Sequence, residues 1–115
     1  METFELDPQN LARSCHEALI LAALAEGPRH GYQLALEIEE SSDGAFRFNH
    51  GTLYPILHKL ESSSFIEGTW AEPEGKRKRR QYELTDAGKQ HLDRLRTAWA
   101  TYFESLFKVI GRSEP

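Results

Sequence analysis

Apolar positions along this chain change period twice, from helical to alternating and back to helical. In residues 11–26, LARSCHEALILAALAE, Leu11, Cys15, Leu19, Ala22 and Ala23 fall at helical spacing and Ile20 and Leu24 widen the stripe, which predicts a mostly buried helix. Gly27 and Pro28 end that pattern. Tyr32, Leu34, Ala35 and Ile38 open a second amphipathic helix that runs out between Ser41 and Gly44. After Phe46 and Phe48, Asn49 has the short acceptor side chain of an N-cap, and Leu53, Ile56, Leu57 and Leu60 share one face of a third helix, HGTLYPILHKLESS. Pro55 removes a backbone donor near its start, so either the first turn is irregular or the regular helix begins nearer Leu53.

The period then becomes two. FIEGTWAE, with Phe65 and Ile66 leading into Thr69, Trp70 and Ala71, and RQYEL, with Tyr82 and Leu84 on one face, both read as strands. Pro73 and Gly75 punctuate the exposed hairpin loop between them. Thr85 or Asp86 caps a final helix in which Gly88, Leu92, Leu95, Trp99, Tyr102, Leu106 and Val109 are spaced 4, 3, 4, 3, 4, 3. Phe103, Phe107 and Ile110 broaden this stripe beyond what one side of a small core needs, so a second copy of the chain is expected against it.

Three helices, a two-stranded hairpin and a long helix give a mainly α fold with a small β-hairpin, in the order of a winged helix-turn-helix followed by a C-terminal dimerisation helix. The expected organisation is a winged-helix domain over residues 1–84 with an N-terminal extension at 1–10, a dimerisation helix over 85–112, and a tail at 113–115.

A length of 115 residues suits one domain, and a domain this small gains from a partner subunit. METFELDPQN has neither the basic nor the apolar region of a secretion signal, and no run of 18 apolar residues occurs, so a cytoplasmic location is expected. Cys15 is the one cysteine, which excludes an intrachain disulfide and a cysteine-cluster zinc site; it reads as a small buried helix residue.

Net charge is −4, which as a sum argues against nucleic acid, but its distribution reverses that. Lys76, Arg77, Lys78, Arg79 and Arg80 hold five of the fourteen basic residues in a row, while Glu37, Glu39, Glu40 and Asp43 cluster upstream. Five consecutive like charges repel one another. A polyanion relieves that repulsion and releases DNA counterions, although a solvated loop is the plainer use of a charge run. Strand alternation turns neighbours to opposite sides, so two or three of the five reach phosphates. On the third helix, His50, Thr52, Tyr54, His58 and Lys59 lie on the solvent side and hydrogen-bond base edges or phosphates, with Tyr54 and Lys59 foremost; for Thr52 and His58 a solvated face or a cap contact is the alternative.

The segments AALAEGPRHGYQLALEIEE, NHGTLYPILHKLESSSFIEG and KRKRRQYELTDAGKQHL together resemble the PadR family of transcriptional regulators over about residues 15 to 95. The most specific pieces are GPRHGY at 27–32, GTLYPILHKLE at 51–61 and RRQYELTDAG at 79–88, in the right order and separation. The resemblance implies a homodimer on a palindromic double-stranded operator, repression of a neighbouring gene, and release by a small hydrophobic or aromatic effector. The single final helix resembles the compact branch of the family. One departure is local: His50 stands where the family commonly has proline, which leaves any base contact carried over to that position in doubt.

The dimer or effector set is expected among Leu92, Leu95, Trp99, Tyr102, Phe103 and Leu106, with plain dimer packing the simpler use of the aromatics. Two other classes compete. A metal-responsive regulator has Cys15, His16, His30, His50, His58 and His91 to draw on, but none pair at a recognised ligand spacing. A protein-interaction module would use the aromatic helix without DNA. An enzyme is disfavoured: there is no phosphate-binding glycine loop, no nucleophile elbow and no HExxH, and neither a cofactor nor a bound metal is expected.

Overall fold

The structure, a computed structural model, describes residue 6, residues 10–71 and residues 79–111. In chain order its elements are α1 (Leu11–Leu24), β1 (Arg29–His30), α2 (Gly31–Ser41), α3 (His50–Ser62), β2 (Ile66–Ala71), β3 (Arg79–Leu84) and α4 (Asp86–Ile110). The hairpin loop with Pro73 and Gly75 lies outside the described residues.

Three of the four helices, α2, α3 and α4, begin where a side chain meets the first free N–H groups. His30 Nδ1 accepts from the Gln33 N–H, Asn49 Oδ1 from Thr52 at 2.9 Å, and Thr85 Oγ1 from Gly88 at 3.0 Å. The open question at Pro55 resolves in favour of a helix that starts at His50 and runs through the proline. The missing N–H is the one that would bond the Gly51 carbonyl, and Gly51 and Pro55 are both exposed, so water can take that carbonyl.

The core is built from Ile20, Leu21 and Leu24 of α1, Leu34 and Ile38 of α2, Leu53, Leu57 and Leu60 of α3, Ile66, Tyr82 and Leu84 of the sheet, and Leu92 and Leu95 of α4. Each such aliphatic side chain contributes roughly 1.5–3 kcal/mol when fully buried. The α1 stripe is rotated from the expected one. Ile20, Leu21 and Leu24 lie at its centre together with Glu17, while Leu11, Cys15, Leu19, Ala22 and Ala23 are half-buried along its edge. The longer aliphatic side chains take the interior and the alanines, with little area to bury, fall to the flank.

The hairpin is one strand richer than the alternation indicates. Arg29 pairs with Tyr82 and His30 with Gln81, so β1 joins the outer side of β3 and the antiparallel order is β1-β3-β2. A two-residue strand carries no periodicity to read. Along β2 and β3, Ile66 faces Leu84, Gly68 faces Tyr82 and Trp70 faces Arg80.

The first half of α4 belongs to this same core, since Leu92, Leu95 and Ala98 are buried. It is held there by a stitch to the turn after α3, where Ser64 adopts a left-handed φ of 63°. The Thr85 N–H donates to the Phe65 carbonyl at 3.1 Å, and the Thr85 hydroxyl donates to the Ser64 carbonyl at 2.7 Å. One turn on, Gly88 lies so close that a Cβ would stand 2.0 Å from the Phe65 carbonyl oxygen. Only glycine fits. Gly88→Ala is therefore expected to cost about 3 kcal/mol or more and to lower Tm by roughly 12 °C or more in a thermal melt. Gly51→Ala, whose Cβ would meet only the Asn49 side chain at an ordinary contact distance of 3.4 Å, serves as the control and leaves Tm unchanged or higher. A Gly88→Ala melt within a few degrees of the wild type would rule out this close docking.

Candidate nucleic-acid interface

The face of α3 opposite Leu53, Leu57 and Leu60 is exposed along Gly51, Pro55, His58 and Ser62, spaced four, three and four. Sequence reasoning chose the polar side chains of this helix and passed over Gly51 and Pro55. Their spacing against the leucines is the available signal, and with no side chain at Gly51 and a flat ring at Pro55 the helix backbone is open to close approach.

His50 is exposed and stacks on Tyr54, with ring centroids 5.5 Å apart and planes 9° apart. Thr52 is half-buried at the first turn, where its N–H is taken by Asn49. Tyr54 is half-buried and its hydroxyl rests against Gly31, where a Cβ would come within 2.8 Å. Lys59 lies on the other flank, its ammonium 3.6 Å from Glu17 of α1. The five α3 residues thus split: Tyr54 and His58 border the sheet side, Lys59 turns toward α1, and His50 and Thr52 stay at the helix start.

Between α3 and the sheet is an open cleft of about 800 Å³, bordered by His30, Tyr32, Tyr54, His58, Trp70 and Arg79. Tyr32 and Trp70 are exposed large aromatics. Of the basic run, Arg79 and Arg80 are described, whereas Lys76, Arg77 and Lys78 lie outside the described residues. Arg80 turns inward across Gly68, where a Cβ would meet its Nε at 2.7 Å, and its guanidinium donates to the Glu61 carboxylate and lies 5.5 Å from the Trp70 ring. Glu61 also accepts the Gly68 N–H at 3.3 Å, so this pair ties α3 to the hairpin.

Arg79 is exposed and meets a residue the sequence reading had considered only as a metal ligand. Its Nη1 stands 3.3 Å from His30 Nε2, while His30 Nδ1 faces the Gln33 N–H, also at 3.3 Å. Both ring nitrogens therefore face donors. Neutral imidazole has one acceptor, so His30 satisfies one of these two donors and not both. Partial burial, and then the Arg79 charge, hold His30 below its ordinary pKa of 6.5.

On α4, Leu92 and Leu95 correct the expected dimer or effector set: they are filled positions of the protomer's own core, because the stripe crosses from core to surface near Trp99. Trp99, Tyr102 and Leu106 are half-buried, and Phe103, Phe107, Val109 and Ile110 are 47% to 71% exposed. Trp99 lies 5.7 Å from Tyr102 and 5.4 Å from Phe103, centroid to centroid. Its indole Nε1 is buried and has no acceptor among the described residues.

Among the described residues no three of His, Cys, Asp and Glu gather as a metal site, and no helix is long and apolar enough to cross a membrane. Burial raises the Cys15 thiol pKa, which keeps it protonated.

A family model described as "Transcriptional regulator PadR-like family" matches residues 20–94. An uncharacterized protein X of Lysinibacillus sphaericus is 30% identical over 91 residues, covering 79% of this chain and 84% of that one. The negative transcriptional regulator PadR of Bacillus subtilis is 33% identical over 73 residues, 64% of this chain but 40% of that protein's length. A solved transcriptional regulator of Clostridium thermocellum shares the fold, with a TM-score of 0.80 at 23% identity over 88% of this chain and 98% of that one.

Two histidines give the fold a pH signature in stability. His91 of α4, like His30, is held below the ordinary 6.5, first by burial, against the opposing pull of Glu17. A lowered folded-state pKa means that the unfolded chain takes the proton first as pH falls. Stability is therefore full above the unfolded value and is lost as pH falls through the folded values. Urea midpoints measured between about pH 5.5 and 7.5 should rise with pH, and less steeply in His91→Gln. An unchanged slope in that variant would exclude His91 as a contributor.

Proposed function

The chain belongs to the PadR-like family of transcriptional regulators, and on that premise we propose that it binds operator DNA as a homodimer and represses transcription. The observation that carries the DNA-binding reading is the exposed Arg79 guanidinium standing 3.3 Å from His30 at the border of the cleft. A phosphate oxygen accepts from the guanidinium and from an imidazole N–H together, and phosphate contacts of this kind position a protein on the duplex. They border the same cleft as Tyr54 and His58, so a duplex seated on α3 brings its backbone to them. Lys76, Arg77 and Lys78 follow in the same wing by sequence and add charge of the same sign.

In this reading Gly51, Pro55 and His58 face the major groove, with His50, Thr52 and Tyr54 at the helix start near base edges and backbone. The part of the chain up to Leu84 touches DNA. The outer half of α4 joins two copies, which places the two α3 helices about 34 Å apart in successive major grooves. Support for the dimer comes from the exposed Phe103, Phe107, Val109 and Ile110, a patch that a lone small domain leaves to water at a cost.

Trp99 favours one further component, a small aromatic effector carrying a hydrogen-bond acceptor. A buried N–H without an acceptor costs about 1–3 kcal/mol, and a ligand among Trp99, Tyr102 and Phe103 recovers it. Such a ligand releases DNA to the extent that it prefers a dimer geometry unsuited to the operator. No step of this function is enzymatic.

The test is a titration into labelled duplex from upstream of the protein's own gene and into scrambled duplex, at several salt concentrations. Wild type, Arg79→Ala and a variant neutralised at Lys76, Arg77 and Lys78 are compared. The upstream duplex should bind more tightly, and each lost phosphate contact should flatten the plot of log affinity against log salt by about 0.9. Absence of binding to either duplex at low salt would refute the DNA reading and leave the face as a protein-interaction surface.

A further inference from the structure

Glu17 is the buried charged side chain among the described residues, 9% exposed on the inward side of α1. A carboxylate taken out of water needs cations and hydrogen-bond donors around it, and three elements supply them. Lys59 of α3 and Arg13 of α1 approach Oε2, at 3.6 Å and 3.9 Å, and His91 of α4 approaches Oε1 at 3.6 Å. None of these separations is a short hydrogen bond, so the charge is shared among partners.

The partners differ in what else can reach them. The His91 side chain is 13% exposed, and its ring is stacked on Phe65 at 4.1 Å with planes 6° apart, so it stays where it is. Lys59 is 47% exposed at its side chain, on a four-carbon stem beside the outward face of α3, so an incoming phosphate can take its ammonium. Arg13 is similarly exposed but is bound to the same helix as Glu17, four residues away.

We propose that Glu17 is a charge junction between the recognition helix and the dimer helix, holding Lys59 with one oxygen and His91 with the other, so that DNA contact at Lys59 is felt at α4. When Lys59 moves to a phosphate, Glu17 leans on His91. Anything that draws His91 closer to Glu17 in turn loosens Lys59 toward DNA. Coupling of this kind is reciprocal, so it is readable from either end. Glu17 acts here as a positioning residue, and the proposal rests on the DNA-binding reading for its second half alone.

Charged groups around His91 are Glu17 and Arg13 from α1, Lys59 from α3 and Arg94 from its own helix. The experiment follows the His91 ring by NMR through a pH titration of the full-length protein, in wild type, Lys59→Met and Glu17→Gln. Methionine keeps the stem of the lysine and removes only its charge. The His91 midpoint should move up in Lys59→Met, because Glu17 loses a competing cation, and down in Glu17→Gln. An identical midpoint in wild type and Lys59→Met would overturn the junction without any reference to DNA.

The second arm adds the upstream duplex. DNA raises histidine midpoints through its own charge, so the diagnostic quantity is the difference between wild type and Lys59→Met. The duplex should raise the wild-type midpoint further than that of the variant. Equal shifts on a duplex that binds both proteins would overturn the transmission. A duplex that binds neither refutes the DNA reading, and the junction is then judged by the first arm.

Discussion

The arrangement of this protein depends on how tightly the start of α4 is fastened to the turn after α3. Ser64 and Phe65 give both their carbonyls to Thr85, and the absent side chain of Gly88 lets α4 begin in contact with the Phe65 backbone. The same Phe65 presents its ring to His91. A helix pinned at its first turn and packed through Leu92, Leu95 and Ala98 leaves the domain in one direction only. α3 and α4 are therefore parts of one rigid piece. In the proposed dimer, whatever sets the angle between two α4 helices also sets the distance between two α3 helices.

Charge is divided along the same lines. Although the chain has more acidic than basic residues, several of its acids are occupied by structural arginines and lysines. Glu37 holds Arg29 at 2.7 Å, Glu61 holds Arg80, and Glu17 holds Lys59. These pairs tie neighbouring elements together and leave Arg79 facing outward beside His30. Net charge is thus a poor guide to which surface carries an outward cation, and the placement of pairs is a good one.

Much of this was legible in the amino-acid order. The leucines of α3, the alternation of Tyr82 and Leu84, and the cap Asn49 are local signals that the structure uses as read, and of Thr85 and Asp86 it takes Thr85 as the cap of α4. What was not legible depends on contacts between distant segments. β1 is two residues long and exists because His30 and Arg29 find β3. The assignment of Leu92 and Leu95 to the interior, against Phe103 and Phe107 outside, depends on where the core ends along a stripe whose period never changes. Glu17 sits within an apolar run, and its partners come from 42 and 74 residues downstream, at Lys59 and His91. The Arg79 and His30 encounter joins a wing residue to a helix cap, and no spacing rule connects them.

The central claim is that two recognition helices are presented together, one helical turn apart, by a dimer built on α4. Hydroxyl-radical footprinting on the bound upstream duplex tests it most directly. The account predicts two protected half-sites related by a dyad, with centres about 10 base pairs apart. A single asymmetric protected stretch, unchanged as protein concentration rises, would contradict it.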